Sequence, residues 1–191
     1  VTRPRRLCAL LAALLVSGGL AACGKHQSDG PIKRAETEGL YLDISELKYQ
    51  VQVSRQLNPD DVQDKPYLAG VPDDERELTP DEVWFGIFLR VQNETDEALM
   101  PSADIEIEDT QGGKFEPLEL EEENLYAYRA NEEIPGGETL PLLDSPGYDS
   151  PSRGALILFK LTLTALNNRP LELKIEGRKA PQQTGFIDLD V

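Results

Sequence analysis

Residues 83–91 read Val-Trp-Phe-Gly-Ile-Phe-Leu-Arg-Val, and this stretch constrains the fold more than any other. Along a strand, successive side chains point to opposite faces. Val83, Phe85, Ile87, Leu89 and Val91 therefore share one face, while Trp84 and Phe88 begin the other. A strand that is apolar on both faces must be covered on both, so this one is expected at the centre of a sheet. Gly86, between the two outer rings, is expected to mark a bulge or to leave room for a ring.

The remaining apolar residues also alternate with period two, in short runs. Leu47, Tyr49, Val51 and Val53 alternate with Lys48, Gln50, Gln52 and Ser54. Ile105 and Ile107 alternate with acids, as do Leu171, Leu173 and Ile175 with polar residues, and 155–163 (ALILFKLTL) reads as a buried strand. Turn residues separate the runs: Asn93-Glu94-Thr95-Asp96, Asp109 to Gly113, and Pro135-Gly136-Gly137. Residues 164–169 read as one helical turn. Residues 58–81 are acidic and broken by Pro59, Pro66, Pro72 and Pro80, which predicts a long surface loop. Eight or nine short strands without a long amphipathic helix predict a two-sheet antiparallel sandwich.

The first residues follow a different logic. Arg3, Arg5 and Arg6 precede an apolar run of ten, 7–16, which Ser17-Gly18-Gly19 interrupts. A membrane-spanning helix needs about 20 apolar residues, whereas a secretory signal peptide needs only this order and length. Leu20-Ala21-Ala22-Cys23 then resembles the lipobox of bacterial lipoproteins. The resemblance implies a diacylglyceryl group on the Cys23 sulfur and cleavage just before it, with Leu20, Ala21 and Ala22 as the flank of the cut. Residues 1–22 are thus expected to be a signal peptide, 23–39 a lipidated cysteine with a flexible polar tether, and 40–191 the folded domain. Cleavage would remove Cys8 and lipidation would occupy Cys23, leaving no thiol for a disulfide, a zinc site or a nucleophile.

Charge narrows the partners. The chain carries 19 Lys+Arg against 35 Asp+Glu, a net charge of −16. Without Arg3, Arg5 and Arg6 the balance is 16 against 35, or −19. Such a field repels nucleic acid and anionic headgroups, so membrane attachment is expected through the lipid on Cys23 alone. His26 is the only histidine and falls in the tether, which excludes Ser-His or Cys-His nucleophilic systems from the domain. No Gly-rich phosphate loop or nucleophile elbow occurs, and no cofactor is expected.

Four stretches, VWFGIFLRVQNETDEALMP, DIEIEDTQGGKFEP, IPGGETL and GALILFKL, taken in order, resemble the bacterial DUF4352 family. They are also similar to the immunoprotective extracellular immunoglobulin-like proteins of mycobacteria. The resemblance spans 40–191 and implies an all-β, immunoglobulin-like antiparallel β-sandwich on a secreted or lipid-anchored protein. It carries no catalytic residues. The chain departs from the family in the 58–81 insertion, which leaves the early strand order open.

Two constellations invite a binding role. Tyr126 and Tyr128, two apart, would share a face if they lie on a strand, and with Arg129 could form a ligand platform; packing in the core or at a sheet edge is the plainer reading of the pair. Asp60, Asp61 and Asp64, and separately Asp73, Asp74 and Glu75, offer oxygen ligands for calcium, although neither group has the order of an EF-hand loop, and a solvated loop is the plainer reading. The expected function is a non-catalytic, lipid-anchored module of the cell envelope that binds a partner protein, peptide or envelope polymer. The alternative is a surface lipoprotein that binds a small ligand or calcium.

Overall fold

The structure is a computed structural model and describes residues 30–190. Residues 1–22, read as a signal peptide, and Cys23 lie outside the described residues. Ten strands form two five-stranded sheets. In the first, β1 (Ile32–Ala35), β10 (Thr184–Leu189), β9 (Leu171–Glu176), β5 (Asp104–Glu108) and β6 (Lys114–Phe115) lie side by side in that order. In the second, β2 (Leu42–Ile44), β3 (Leu47–Leu57) and β4 (Glu82–Asn93) are neighbours. The free edge of β4 is shared by β7 (Thr139–Leu140) at Val91 and Gln92 and by β8 (Ala155–Thr162) from Glu82 to Leu89.

β4 is central in its sheet, as its two apolar faces require. Phe85, Ile87, Leu89 and Val91 point between the sheets and are fully buried with Ile107, Leu173, Ile175 and Ile187 of the facing layer. Trp84 and Phe88 point outward into a second, smaller cluster with Leu57, Tyr67, Val71, Leu120, Leu156 and Leu158. Gly86 leaves room there for the methyl ends of Leu57 and Leu156, each 3.1 Å from where a Cβ would stand, rather than for a ring. The irregularity in this pairing falls instead on β3, between Val51 and Val53.

Two tyrosines pin the loop before β5. The buried Tyr49 hydroxyl accepts from the Ser102 N–H at 2.8 Å, and the Tyr128 hydroxyl donates to the Ser102 carbonyl at 2.7 Å. At the far end of β4, the buried Asn93 donates to the carbonyls of Glu97, Ile134 and Pro135 and accepts from Thr95. The short helix α2 (Leu163–Asn167) starts where the Thr162 hydroxyl accepts from the Ala165 N–H at 3.1 Å.

One segment departs from expectation. The end of the stretch read as tether is strand β1, which pairs in parallel with β10 from Ile32↔Thr184 to Ala35↔Ile187. Ordered backbone therefore begins before residue 40, and the sandwich is antiparallel apart from this pair. The sequence Ile-Lys-Arg-Ala has too few apolar residues to show a period; its order comes from the unpaired edge of β10, with Arg34 set over the Phe186 ring at 4.4 Å.

Candidate functional site

The 58–81 insertion folds back over the outer face of the β2–β3–β4–β8 sheet. A 3-10 turn at Lys65–Leu68 turns Tyr67 inward, where its ring meets Phe88 at 4.9 Å and Tyr126 at 4.8 Å, both edge-to-face. Asn124, itself buried, donates to the carbonyls of Tyr67 at 2.9 Å and Ala69 at 2.7 Å. The insertion's other end is held by Lys160, which lies over the Trp84 ring and pairs with Glu75 at 2.9 Å. The insertion thus forms a third layer on half of this face.

Where that layer ends, a groove of about 1040 Å³ remains open on the sheet. One wall is the insertion, through Asp61, Gln63, Asp64, Pro66 and Tyr67. The floor is Gln52, Val53 and Arg55 of β3 with Tyr126, and the other wall is the 146–153 turn, which includes the four-residue helix α1 (Pro146–Asp149). Asp149 and Arg153 also belong to an adjoining niche of about 220 Å³, completed by Arg90, Pro141 and Tyr148. A separate cleft of about 340 Å³ opens between the two sheets beside Ile105, Leu118, Leu120 and Ile157.

The sequence-predicted residues separate. Tyr126 joins the outer cluster and lines the groove, whereas Tyr128 packs on the main core and is held by Ser102. Only Ala127 bridges to β8 here, so the segment lacks the strand geometry that would put both rings on one face. Arg129 is turned to the backbone, donating to the carbonyls of Leu120, Glu121 and Asn124. The three do not form a platform.

Four of the six acids singled out in the insertion have carboxylate partners within the chain. Asp64 is buried and paired with Arg55 at 2.5 Å, and it accepts from the Asn58 N–H. The Arg55 guanidinium holds its carboxyl below the ordinary aspartate range. Asp61 accepts from the Gln63 N–H, and the Asp60 N–H donates to Asn58. Asp73 pairs with Arg76, and Glu75 with Lys160. Among the described residues no three His, Cys, Asp or Glu side chains converge as metal ligands, so Asp60, Asp61, Asp64, Asp73, Asp74 and Glu75 are not drawn into a calcium cage.

On the opposite face of the sandwich, acids and bases form a cross-strand ladder. Glu106 is flanked by Lys114 at 2.9 Å and Lys174 at 2.7 Å, which together lower its pKa to about 2. Lys174 also reaches Glu176 at 2.9 Å, and its own pKa rises. Asp109 is likewise shifted down, first by the Asn168 side chain, and Glu82 by the Thr79 N–H.

Several solved structures are similar to this chain. An uncharacterized β-sandwich protein from Clostridium difficile 630 is 11% identical, with a TM-score of 0.44 over 81% of this chain and 94% of that one. The candidate lipoprotein ycdA from Bacillus subtilis is 10% identical, with a TM-score of 0.47 over 81% of this chain and 39% of its own. A functionally unknown protein from Listeria monocytogenes EGD-e is 10% identical, with a TM-score of 0.49 over 81% and 82%. No family model, that of DUF4352 included, and no curated protein matches the sequence.

Among the described residues no helix is long and apolar enough to cross a membrane. The sequence reading passed over Arg90 and Arg153. They stand 63 positions apart, and only the fold brings them to one niche. The usable signal was Arg90 itself, a charge on the outer face of an otherwise apolar central strand.

Proposed function

We propose that this chain is a lipid-anchored, non-catalytic binding module of the cell envelope, and that its binding face is the groove between the 58–81 insertion and the 146–153 turn. The observation that carries the reading is that groove. A long insertion spends part of its length capping the sheet with Tyr67 and Val71, and the remainder walls an open concavity with polar and aromatic side chains. Long loops braced on a rigid scaffold are where binding residues concentrate.

The acid–base groups support a non-catalytic role. A general acid at neutral pH needs a carboxyl shifted upward. Every carboxyl that the fold clearly shifts, Asp64, Glu82, Glu106 and Asp109, moves downward because a neighbouring donor stabilises the charge. The Leu20-Ala21-Ala22-Cys23 pattern supports the anchor, and with it an extracytoplasmic location and a resemblance to lipoproteins carrying DUF4352-like domains.

A photo-crosslinking residue placed at Gln63, on the groove wall, tests the reading in intact cells against the same residue at Lys114, on the far face. Discrete adducts are expected from position 63 and not from 114. The reading is overturned if neither position gives adducts, or if both give the same set.

A further inference from the structure

We infer that the niche between Arg90 and Arg153 takes a carboxylate carried on an extended, otherwise uncharged peptide lying in the adjoining groove. The inference rests on the binding-module reading and names the ligand chemistry of that face.

The argument begins with how the arginines are used. The described residues include eight. Arg34, Arg55 and Arg76 pair with Glu172, Asp64 and Asp73. Arg129 and Arg178 are absorbed by backbone carbonyls, and Arg169 donates to the Leu166 carbonyl. Among the described arginines only Arg90 and Arg153 make neither an ion pair nor a side-chain hydrogen bond. Among the described lysines, Lys33 and Lys65 are likewise without an ion pair, but they lie apart from one another in the sequence and in separate elements, whereas Arg90 and Arg153 line one niche.

Their placement is specific. Arg90 sits on the outer face of β4, two residues beyond Phe88, and is half-buried. Arg153 ends the 146–153 turn with a φ of 47°, in the left-handed region where a glycine is ordinarily favoured. Tyr148, on the niche wall, adds a hydroxyl donor. Asp149 shares the wall, so two guanidinium groups and one carboxylate leave the niche at a net charge of +1, suited to a single anionic group. The planar guanidinium fork matches a carboxylate in two-point geometry.

The groove decides what carries that group. Asp61, Asp64 and Asp149 line it with Arg55 and Arg153, and Arg55 is already spent on Asp64, so apart from Arg153 at the niche the groove offers no free cation to a chain with a negative charge at every unit. Val53, Pro66, Tyr67, Tyr126, Pro146 and Pro151 give it the proline and aromatic walls on which extended peptides dock. One carboxylate on a mainly uncharged peptide satisfies both surfaces.

The test uses the full chain in zwitterionic nanodiscs, with NMR observation of the arginine Nε–H groups. The probes are a blocked Pro-Pro-Glu-Pro-Pro peptide, its Gln analogue, acetate and inorganic phosphate. Saturable shifts of Arg90 and Arg153 are expected with the Glu peptide, while Arg34 stays unmoved. The Gln analogue should bind about tenfold more weakly, and Arg153→Gln or Arg90→Gln should each weaken the Glu peptide by about fivefold. Equal binding of the Glu and Gln peptides overturns the carboxylate assignment. Acetate or phosphate binding as tightly as the peptide overturns the peptide. No shift with any probe overturns both. If the crosslinks from position 63 persist while the arginines stay silent, the ligand assignment falls and the binding-module reading stands.

Discussion

Asn124 donates to the Tyr67 carbonyl at 2.9 Å, joining segments 57 positions apart in the sequence. The same amide donates to the Ala69 carbonyl at 2.7 Å and accepts from the Tyr126 N–H at 2.9 Å. One buried side chain therefore fixes the insertion to the loop that carries Tyr126. Asn124→Ala leaves two insertion carbonyls without their donor, and the expected loss is about 2–3 kcal/mol in urea unfolding. Limited proteolysis should then cut first within 58–81. Cleavage at the wild-type rate would mean that the amide does not hold the insertion.

Tyr67 is the apolar half of the same attachment. Its ring contacts Phe88 and Tyr126 edge-to-face and is 6% exposed. Tyr67→Ala should cost about 3 kcal/mol. Because Asn124 holds the backbone that presents this ring, the double variant should lose less than the two single losses added together. The cycle should give a coupling of at least about 0.5 kcal/mol. Strict additivity would separate the two contacts.

Acid sensitivity should centre on Glu106. Its carboxyl lies near 2 in the folded protein, against an ordinary value of 4.5, chiefly because Lys114 and then Lys174 hydrogen-bond to it. A depressed native value makes the unfolded state the better proton acceptor, so this stabilisation is present above about pH 4.5 and is lost as pH falls toward 2. Replacing Lys174 with Met should raise the Glu106 value and flatten that part of the stability–pH curve, as read from urea midpoints between pH 5 and 2. An unchanged slope would show that the ladder does not couple to folding.

The central strand was legible because its two apolar sets are long enough to show a period, and each set found a separate cluster. The insertion's boundaries were legible from its prolines. What the sequence could not carry was partner choice. β1 holds its place through the edge of β10, 152 positions further along, not through its own pattern. Asp64 looked like one of three exposed acids because nothing local shows that Arg55 turns it inward. Tyr126 and Tyr128 were assigned one face by counting in twos, a rule that fails in a segment with a single bridge. The groove and the Arg90–Arg153 niche are products of tertiary placement throughout.

A calcium titration separates structural acids from ligands. A cation that binds only the native state must raise the melting midpoint in proportion to RT ln(1 + [L]/Kd). With Asp64, Asp73 and Glu75 each held by a cation of the protein, the midpoint in millimolar calcium should match that in chelator to within about 1 °C. A rise of several degrees would restore the acidic stretches as a binding site.

The anchor makes the sharpest cellular prediction. Cut before Cys23, the chain would carry a charge of −19 (16 bases against 35 acids) and would gain nothing from an anionic bilayer surface, so under the proposed anchor its retention would come from acyl chains at about 0.8 kcal/mol per buried CH₂. Cys23→Ala should move the protein from the membrane pellet to the soluble fraction, and the wild-type mass should exceed the polypeptide from Cys23 onward by the weight of the lipid. With lipid on Cys23, the eight residues 24–31 would span at most about 28 Å before β1 begins at Ile32, which would keep the β1–β10 edge near the headgroups. A fluorophore at Lys33 should therefore be quenched by lipid-borne quenchers more strongly than one at Gln63. An unmodified sulfur at position 23, or a variant that still pellets with membranes, would remove the anchor.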